Sequence, residues 1–541
     1  MRIWNAWQRD PQRPHVMHYA GIAKMVSDFQ SPSGSAGDEG GQPVGVQALA
    51  RQISGLGPGF HRILLDQAQV SLTLCLGDVP AMLGEHVFQS DTVIARPPVD
   101  KWEVQALARR CKRGTRLWIP AVPALQANTE PASDLTAQLR AAGFQLDTSP
   151  GESSALTGRF DPQWTISTGR TSTSTGHVQT APARCAVVGA GIAGASVAHA
   201  LAVRGWQVTV FDRQAQPAGG ASGLPVGLAV PHVSMDDSPR SRMSRCGAHL
   251  LQQHADRLLQ RGQDWEPTGV LERLPEGGER WHAQACWVKP AQLVRAWLAK
   301  AGIRFVGVTN VAKIQRADGL WQLQDQQGHD WGCFETVVVA NAMASAELLT
   351  GLQADNALGA DLLDKLAALQ AVHGTLSQGR YAAPIVGLPT TPVNGNGCFI
   401  PHIAGAEGDH WFAGSTFETD PVFAADGAAQ HAANMERLQQ LLPTPGFPLV
   451  EALNRAPVSL WSSTRCVTHD RLPLVGPVET ACGPGLWLCA GMGARGLSFS
   501  ALCAELLVAR MGAEPLPLEF SLSRSLDANR MRRRQTVPPK N

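Results

Sequence analysis

Gly189, Gly191 and Gly194 stand in "VVGAGIAGAS", directly after the apolar strand Ala186 to Val188 and before an alanine-rich helical stretch. In that context each glycine has a chemical task. The first permits a tight turn, the second lets backbone amides approach a pyrophosphate, and the third lets helix and strand pack closely. The helix N-terminus then turns its partial positive charge toward the phosphates. The next strand, "WQVTVFD", ends in Asp212 with Arg213 beside it. That carboxylate falls about twenty residues on, where a ribose hydroxyl is bound. A second run of small residues, "PAGGASGLPVG", offers close backbone approach at Gly219, Gly220, Ala221 and Ser222, for which a nicotinamide fold has no use. A third, "LWLCAGMGARGLSFSALCAELL", reads as strand, glycine loop (Gly491, Gly493, Gly496) and a helix opening at Leu497. The three runs together favour FAD.

The elements that position these loops form a discontinuous α/β domain. A chain that returns at its end to cover the same cofactor predicts flavin-binding pieces at 184–265, 301–350 and 457–515, with a substrate domain inserted as 266–300 and 351–456. Ahead of them lies a unit over 1–165 and a linker over 166–183; a basic tail follows at 516–541. In the front unit "HRILLDQAQVSLTLCLGDV" alternates as two strands about a turn, while "TVIA" and "RLWIPAV" read as further strands. "VQALARRC" and "DLTAQLRAAG" have helical spacing, so this unit is also α/β. "SPSGSAGDEGGQ" and "GRTSTSTGHVQTAPA" are too rich in small polar residues to bury themselves and read as loose segments.

Composition excludes several classes. With 541 residues, 44% hydrophobic and 17% charged, the chain is a multidomain globular protein, and its net charge of +1 gives no global argument for a polyanionic partner. The eleven cysteines are scattered without C-x-x-C spacing, which points to reduced core thiols and to no metal site. There is no signal-peptide-like start and no run of 18 apolar residues, so a cytoplasmic protein with no membrane contact is expected.

The motifs "VVGAGIAGAS", "GWQVTVFDR", "PAGGASG", "PHVS", "CWVKPAQLV", "RCVTHDRLPLVG" and "GARGLSFSALCAELL" resemble the D-amino-acid oxidase superfamily. More narrowly, from about Arg184 to the end, they resemble the flavoprotein half of the bifunctional MnmC family of tRNA-modifying proteins. The resemblance implies a glutathione-reductase-like FAD domain with an inserted antiparallel-sheet substrate domain. It also implies a reaction: oxidative removal of the carboxymethyl group from 5-carboxymethylaminomethyluridine at the tRNA wobble position, giving glyoxylate and an aminomethyl group. Arg465 and Arg495 match positions that hold the substrate carboxylate in related amine oxidases, and a guanidinium suits bidentate pairing at fixed charge. The competing reading pairs either arginine with a structural carboxylate such as Asp470. By position alone, Val311 is placed against the adenine and Ala340 on the strand beneath the cofactor, each with a plain core strand as the competing reading, and His232 either faces the ring or is satisfied by backbone. Leu224 and Cys286 depart from the family's Asn and Gly.

In the same family the front part is a methyltransferase dependent on S-adenosylmethionine, and "WQRDPQRPHVMHYAGIAK", "GFHRILLDQAQVSLTLCLGDVPAML" and "LRAAGFQL" resemble parts of it in order. The chain begins beyond the place of the first glycine-rich loop, Ala23 stands where an acidic ribose ligand is expected, and "IARPPV" around Ala95 replaces the family's "LDGF". Only Gly77 and Asp78 of "LGDV" survive, and a turn explains them. A degenerate methyltransferase-like remnant that does not bind S-adenosylmethionine is expected.

If tRNA is the substrate, Arg530, Arg532, Arg533 and Arg534 of the tail are the clearest basic cluster for phosphate, with Arg109, Arg110, Lys112, Arg113 and Arg116 as a second run; the competing reading of the first is a solvated chain end and of the second a solvated helix end. A monomer is the default. Two other functions fit the flavin motifs: a small-molecule oxidase of glycine or sarcosine type, and a non-catalytic RNA-binding protein with structural FAD.

Overall fold

The computed structural model describes residues 2–30, 49–50, 52–96, 100–120, 130–147, 155–166, 181–352, 358, 360–405, 408–444 and 446–530. The first loose segment, most of the second and of the linker, and Arg532 to Arg534 lie outside these residues.

The front unit builds two separate sheets. In the first, β1 (Met17–Ala23) runs parallel to β3 (Val70–Leu76), which pairs antiparallel with β2 (Gly59–Leu65). In the second, β4 (Ser90–Ile94), β5 (Cys111–Ile119), β6 (Phe144–Leu146) and β7 (Leu156–Phe160) lie in the order β4-β5-β7-β6. β5 alternates buried and exposed residues, and the helices Lys101–Ala108 and Glu130–Ala141 cover its buried side through Val104, Leu135 and Leu139.

The flavin-type domain centres on a six-stranded sheet in the order Ile303–Val306, β9 (Gln207–Phe211), β8 (Arg184–Val188), Thr336–Val339, Leu486–Ala490, Leu474–Pro477. All neighbours are parallel except the last pair. Both faces are buried, which is why its strands read as unbroken apolar runs such as "CAVV" and "TVVV" rather than alternating ones. One face carries the helices Ile192–Val203, Pro239–Leu258, Pro290–Leu298 and Gly496–Gly512. The other carries the antiparallel sheet Val311–Ala317, Leu320–Asp325, Asp330–Phe334.

The inserted domain is a seven-stranded sheet backed by the helices Gly427–Leu441 and Gly446–Leu453. It is antiparallel apart from one parallel pairing at Leu271↔Val393. Its other face packs on Val226 and Trp287, beside the second glycine run.

Three expected boundaries shift. The strand Val458–Val467, placed by sequence in the last flavin piece, is the edge of the substrate sheet, because it pairs along Gln370–Arg380 through ten residues from Val458 to Val467. Conversely, Cys286–Val288 and the helix after it pack on the flavin side. The first part of the supposed tail is core: Leu516, Leu518, Leu522 and Leu526 are buried against the flavin domain. All eleven cysteines are free thiols. Among the described residues there is no group of acidic, His or Cys side chains able to hold a metal, and no helix long and apolar enough to cross a membrane.

Candidate active site

The three small-residue runs meet in space. Gly189 turns at φ 109°, and a Cβ there would lie 2.6 Å from the Ala340 carbonyl oxygen, so the turn closes directly on the end of the strand Thr336–Val339. A Cβ on Gly194 would lie 1.9 Å from the Gly189 oxygen, so helix and turn touch backbone to backbone. From the second run, Ser222 Oγ accepts a 2.8 Å hydrogen bond from the Ile192 amide at the helix start. From the third, Gly496 leaves 3.4 Å between an added Cβ and Ile192 Cγ2, while Leu497 lies against Gly227. Two helix N-termini, at Ile192 and Gly496, thus open side by side. Gly491 and Gly493 hold left-handed φ angles of 74° and 56°, and Gly219, Gly220 and Ala221 are exposed beside this cradle.

Asp212 lies at the end of β9, where its Oδ2 accepts from the Ala190 amide at 2.7 Å and its Oδ1 from the Gln214 amide at 2.8 Å. The carboxylate therefore ties the first glycine turn to the loop after β9, and Arg213 next to it is exposed. The backbone of Asp212 also receives Thr309, two residues before Val311, which is buried at the start of its strand. These features fit a dinucleotide: the cradle is lined by positions that a Cβ would fill, at the paired ends of two helices.

At the other end of the third run stand the two arginines. The bridge Val467↔Met492 holds the strand of Arg465 against the loop of Arg495. Arg465 lies across Gly374, where a Cβ would sit 2.3 Å from its Nη2, donates to Ser415 Oγ, and stands 5.8 Å from the ring centre of Phe417. Burial lowers the pKa of its guanidinium, while Cys398 acts weakly in the opposite sense. Burial also lowers that of Arg495, with Arg240 adding to the effect and Glu272 opposing it. Neither arginine has a carboxylate ion pair among the described residues. The structural alternative for Arg465 fails in its stated form, because Asp470 is held by Arg530 at 2.8 Å. By the same contact, Arg530 is not a free phosphate ligand. Its guanidinium also donates to the Pro473 and Leu472 carbonyls, and the side chain is 13% exposed.

His232 is fixed by Ser241 Oγ at 2.8 Å, and burial together with Arg495 and Arg240 keeps it below its usual pKa. Sequence reasoning did not find Gly374, Ser415 or Phe417. Gly374 lies in an ordinary strand pattern, and the other two follow a strand end whose nearness to Arg465 depends on the sheet register.

The family model described as FAD dependent oxidoreductase matches residues 184–273 and 265–510. The tRNA 5-methylaminomethyl-2-thiouridine biosynthesis bifunctional protein MnmC of Albidiferax ferrireducens is 42% identical, over 98% of this chain and 90% of its own length. Its namesake from Polaromonas naphthalenivorans is 37% identical over 96% and 86%. Among solved structures, glycine oxidase from Geobacillus kaustophilus superposes with a TM-score of 0.50 at 20% identity, covering 64% of this chain and 98% of its own, which supports the flavin-type fold alone. With the flavin cradle assembled from all three runs and these relatives matched along nearly the whole chain, the protein belongs to the MnmC family, and its part from residue 184 to 510 to the FAD-dependent oxidoreductases.

Proposed function

We propose that the chain oxidises the carboxymethylaminomethyl group of a tRNA wobble uridine, releasing glyoxylate and leaving the aminomethyl base. The observation that carries this reading is the pair of half-buried guanidinium groups, Arg465 and Arg495, beside the third glycine loop and without a carboxylate ion pair among the described residues. An unpaired buried charge is costly unless a ligand completes it, and a glycine-like carboxylate does so. Gly189, Gly191, Gly194, Gly219 to Ser222 and Gly491 to Leu497 would hold FAD, with Asp212 and Arg213 at its ribose side, Val311 against its adenine and Ala340 on the strand beneath it.

When bound there, FAD supplies a two-electron acceptor for the hydride of the glycine methylene. The residues around it do the orienting. Arg465, set by Ser415 and Phe417, takes the carboxylate, and Arg495 takes its second oxygen or neutralises the remaining charge. Their combined positive charge also favours the neutral amine, the form able to release hydride. Water then adds to the C=N bond left on the substrate, and the C–N bond breaks to glyoxylate and amine.

The front unit is read as having lost methyl transfer and S-adenosylmethionine binding. Ala23 ends β1 and Ala95 follows β4, where a ribose ligand and a catalytic acid would be needed. Asp78 is used up as the N-cap of the helix Val79–Gly84, accepting from the Ala81 amide. The strands of the unit, moreover, form two sheets rather than one.

The test is anaerobic mixing of the yellow holoprotein with tRNA bearing the carboxymethylaminomethyl group. Bleaching of the flavin with formation of glyoxylate is expected. Bleaching by free glycine or sarcosine but not by tRNA would favour a small-molecule oxidase, and no bleaching by any of them a structural flavin.

A further inference from the structure

The second sheet of the front unit has one face that no described residue covers. Register places Arg116 of β5 directly opposite Arg159 of β7, with Gln145 of β6 next in the row. One step along the strands, Ile94, Trp118 and Thr157 form a second row on the same face. Arg116, Arg159 and Gln145 are exposed, and Trp118 retains 42% of its surface.

Rim and centre differ in their charge partners. At the rim, Lys112 pairs with Asp91 at 2.5 Å and Arg113 with Asp161. At the centre, Arg116 and Arg159 have no hydrogen bond or ion pair with any described residue, although like charges directly opposite on a sheet destabilise it. An anion bridging the two guanidinium groups removes that repulsion. Trp118 lies two residues from Arg116, about 6.6 Å along the strand, so a base can stack on the indole while its phosphate meets the arginines. Aromatic and basic side chains together on an open four-stranded sheet face fit unpaired nucleotides, whose bases are free to stack.

We propose that this face is a docking platform for single-stranded nucleotides of the RNA substrate, used for binding and not for chemistry. The proposal rests on the tRNA reading of the active site. It gives the front unit a role that does not need S-adenosylmethionine.

The test uses the full-length holoprotein and fluorescence anisotropy with a labelled anticodon stem-loop and, as a control, a blunt RNA duplex. Arg116→Gln with Arg159→Gln should weaken stem-loop binding about tenfold and reduce the slope of log K against log salt by about 1.4, two single-strand phosphate contacts' worth. Trp118→Ala should weaken it about five- to tenfold with little effect on the duplex, and Trp118→Phe should restore most of it. All variants should keep the wild-type rate of flavin bleaching by the free modified nucleoside. Wild-type affinity and salt slope in the variants overturn the platform, as does an equal loss on duplex and stem-loop, or a loss of bleaching by the nucleoside. So does a fall in mass by light scattering for Trp118→Ala with RNA affinity unchanged, which would mark the face as a contact between two copies. If the wild type neither binds the stem-loop nor bleaches with modified tRNA, the functional reading falls and the platform with it. If it does both and the variants match it, the platform alone falls.

Discussion

Two places in the molecule draw arginine out of water, one fully and one in part, and they treat its charge in opposite ways. At the seam between the front unit and the flavin domain, Arg204 pairs with Glu514 at 2.7 Å and with Glu505 at 3.1 Å, and His18 Nε2 approaches Glu514 at 3.4 Å. Arg62, 1% exposed, donates to Ser71 Oγ and to the Pro515 carbonyl within reach of the same glutamates. Burial disfavours the charge on Arg204, yet Glu505 and Glu514 more than offset it and raise its pKa above the ordinary arginine value. At the active site, Arg465 and Arg495 are shifted downward by burial and have no such partners. Arg62, its pKa lowered by burial and its side chain held by a hydroxyl and a carbonyl, shows that desolvation alone does not mark a ligand site; what sets Arg465 and Arg495 apart is their place beside the third glycine loop.

The comparison breaks most sharply at the seam. Arg204→Met removes the cation that pairs directly with both Glu505 and Glu514, leaving only Arg62 and His18 nearby, and should lower stability by about 3–5 kcal/mol, read by denaturant unfolding. Replacing all three by apolar residues of similar volume should recover most of that loss. A small effect of the single variant would mean that the seam is wetter than its 8% exposed arginine indicates.

At the active site the same type of deletion should act on rate instead. Arg465→Ala should slow single-turnover flavin reduction about a hundred- to thousandfold, with FAD absorbance retained and thermal stability equal or higher. A drop in stability like that of Arg204→Met would make Arg465 structural after all.

A subtler probe is Gly374→Ala, whose new methyl would meet the Arg465 guanidinium. A displacement of about 1 Å should cost roughly ten- to a hundredfold in kcat/KM at nearly unchanged stability.

The pH response separates the two places further. Glu505 and Glu514 have folded pKa values below their ordinary 4.5, because Arg204 outweighs the opposing effect of burial. Their contribution is therefore complete above pH 4.5 and is lost as the pH falls below it. Buried His199 and half-buried His249, both lowered by desolvation from 6.5 to about 4, and buried His86, lowered to about 3, remain neutral in the fold. The unfolded chain takes up those protons first, so stability should already decline from pH 6.5 downward. Glu514→Gln should remove part of the loss below pH 4.5 and leave the decline between 6.5 and 4.5 intact, as measured by thermal shift across pH.

The sequence showed what is local. Gly189, Gly191 and Gly194 announce themselves because a strand, a turn and a helix follow one another within a few residues, and the structure joins them to the other two runs as expected. Resemblance added Arg465 and Arg495. What stayed hidden depends on distant partners. Arg62 sits in the alternating strand "GFHRILL" and looks like any outward-facing cation, yet its carbonyl acceptor is at Pro515. Arg530 looks like part of a basic tail, but Asp470 and two backbone carbonyls hold it in place. Val458–Val467 lies next to flavin motifs in the chain but pairs with the distant strand Gln370–Arg380, and no local pattern encodes that register.

Gly247 gives the bare helix crossing inside the flavin domain a wider meaning. A Cβ there would lie 1.7 Å from the Ser498 oxygen, so the helices Pro239–Leu258 and Gly496–Gly512 meet backbone to backbone. The first of them also carries Gln253, whose side chain bonds the Leu64 amide and the Arg62 carbonyl of β2, and Cys246, which bonds the Phe60 carbonyl. The second begins at the loop of Arg495. The front unit thus buttresses the very helix that props up the flavin loop. A module so placed acts as a strut, whatever chemistry of its own it has: deleting it should loosen the helix that carries the third glycine loop.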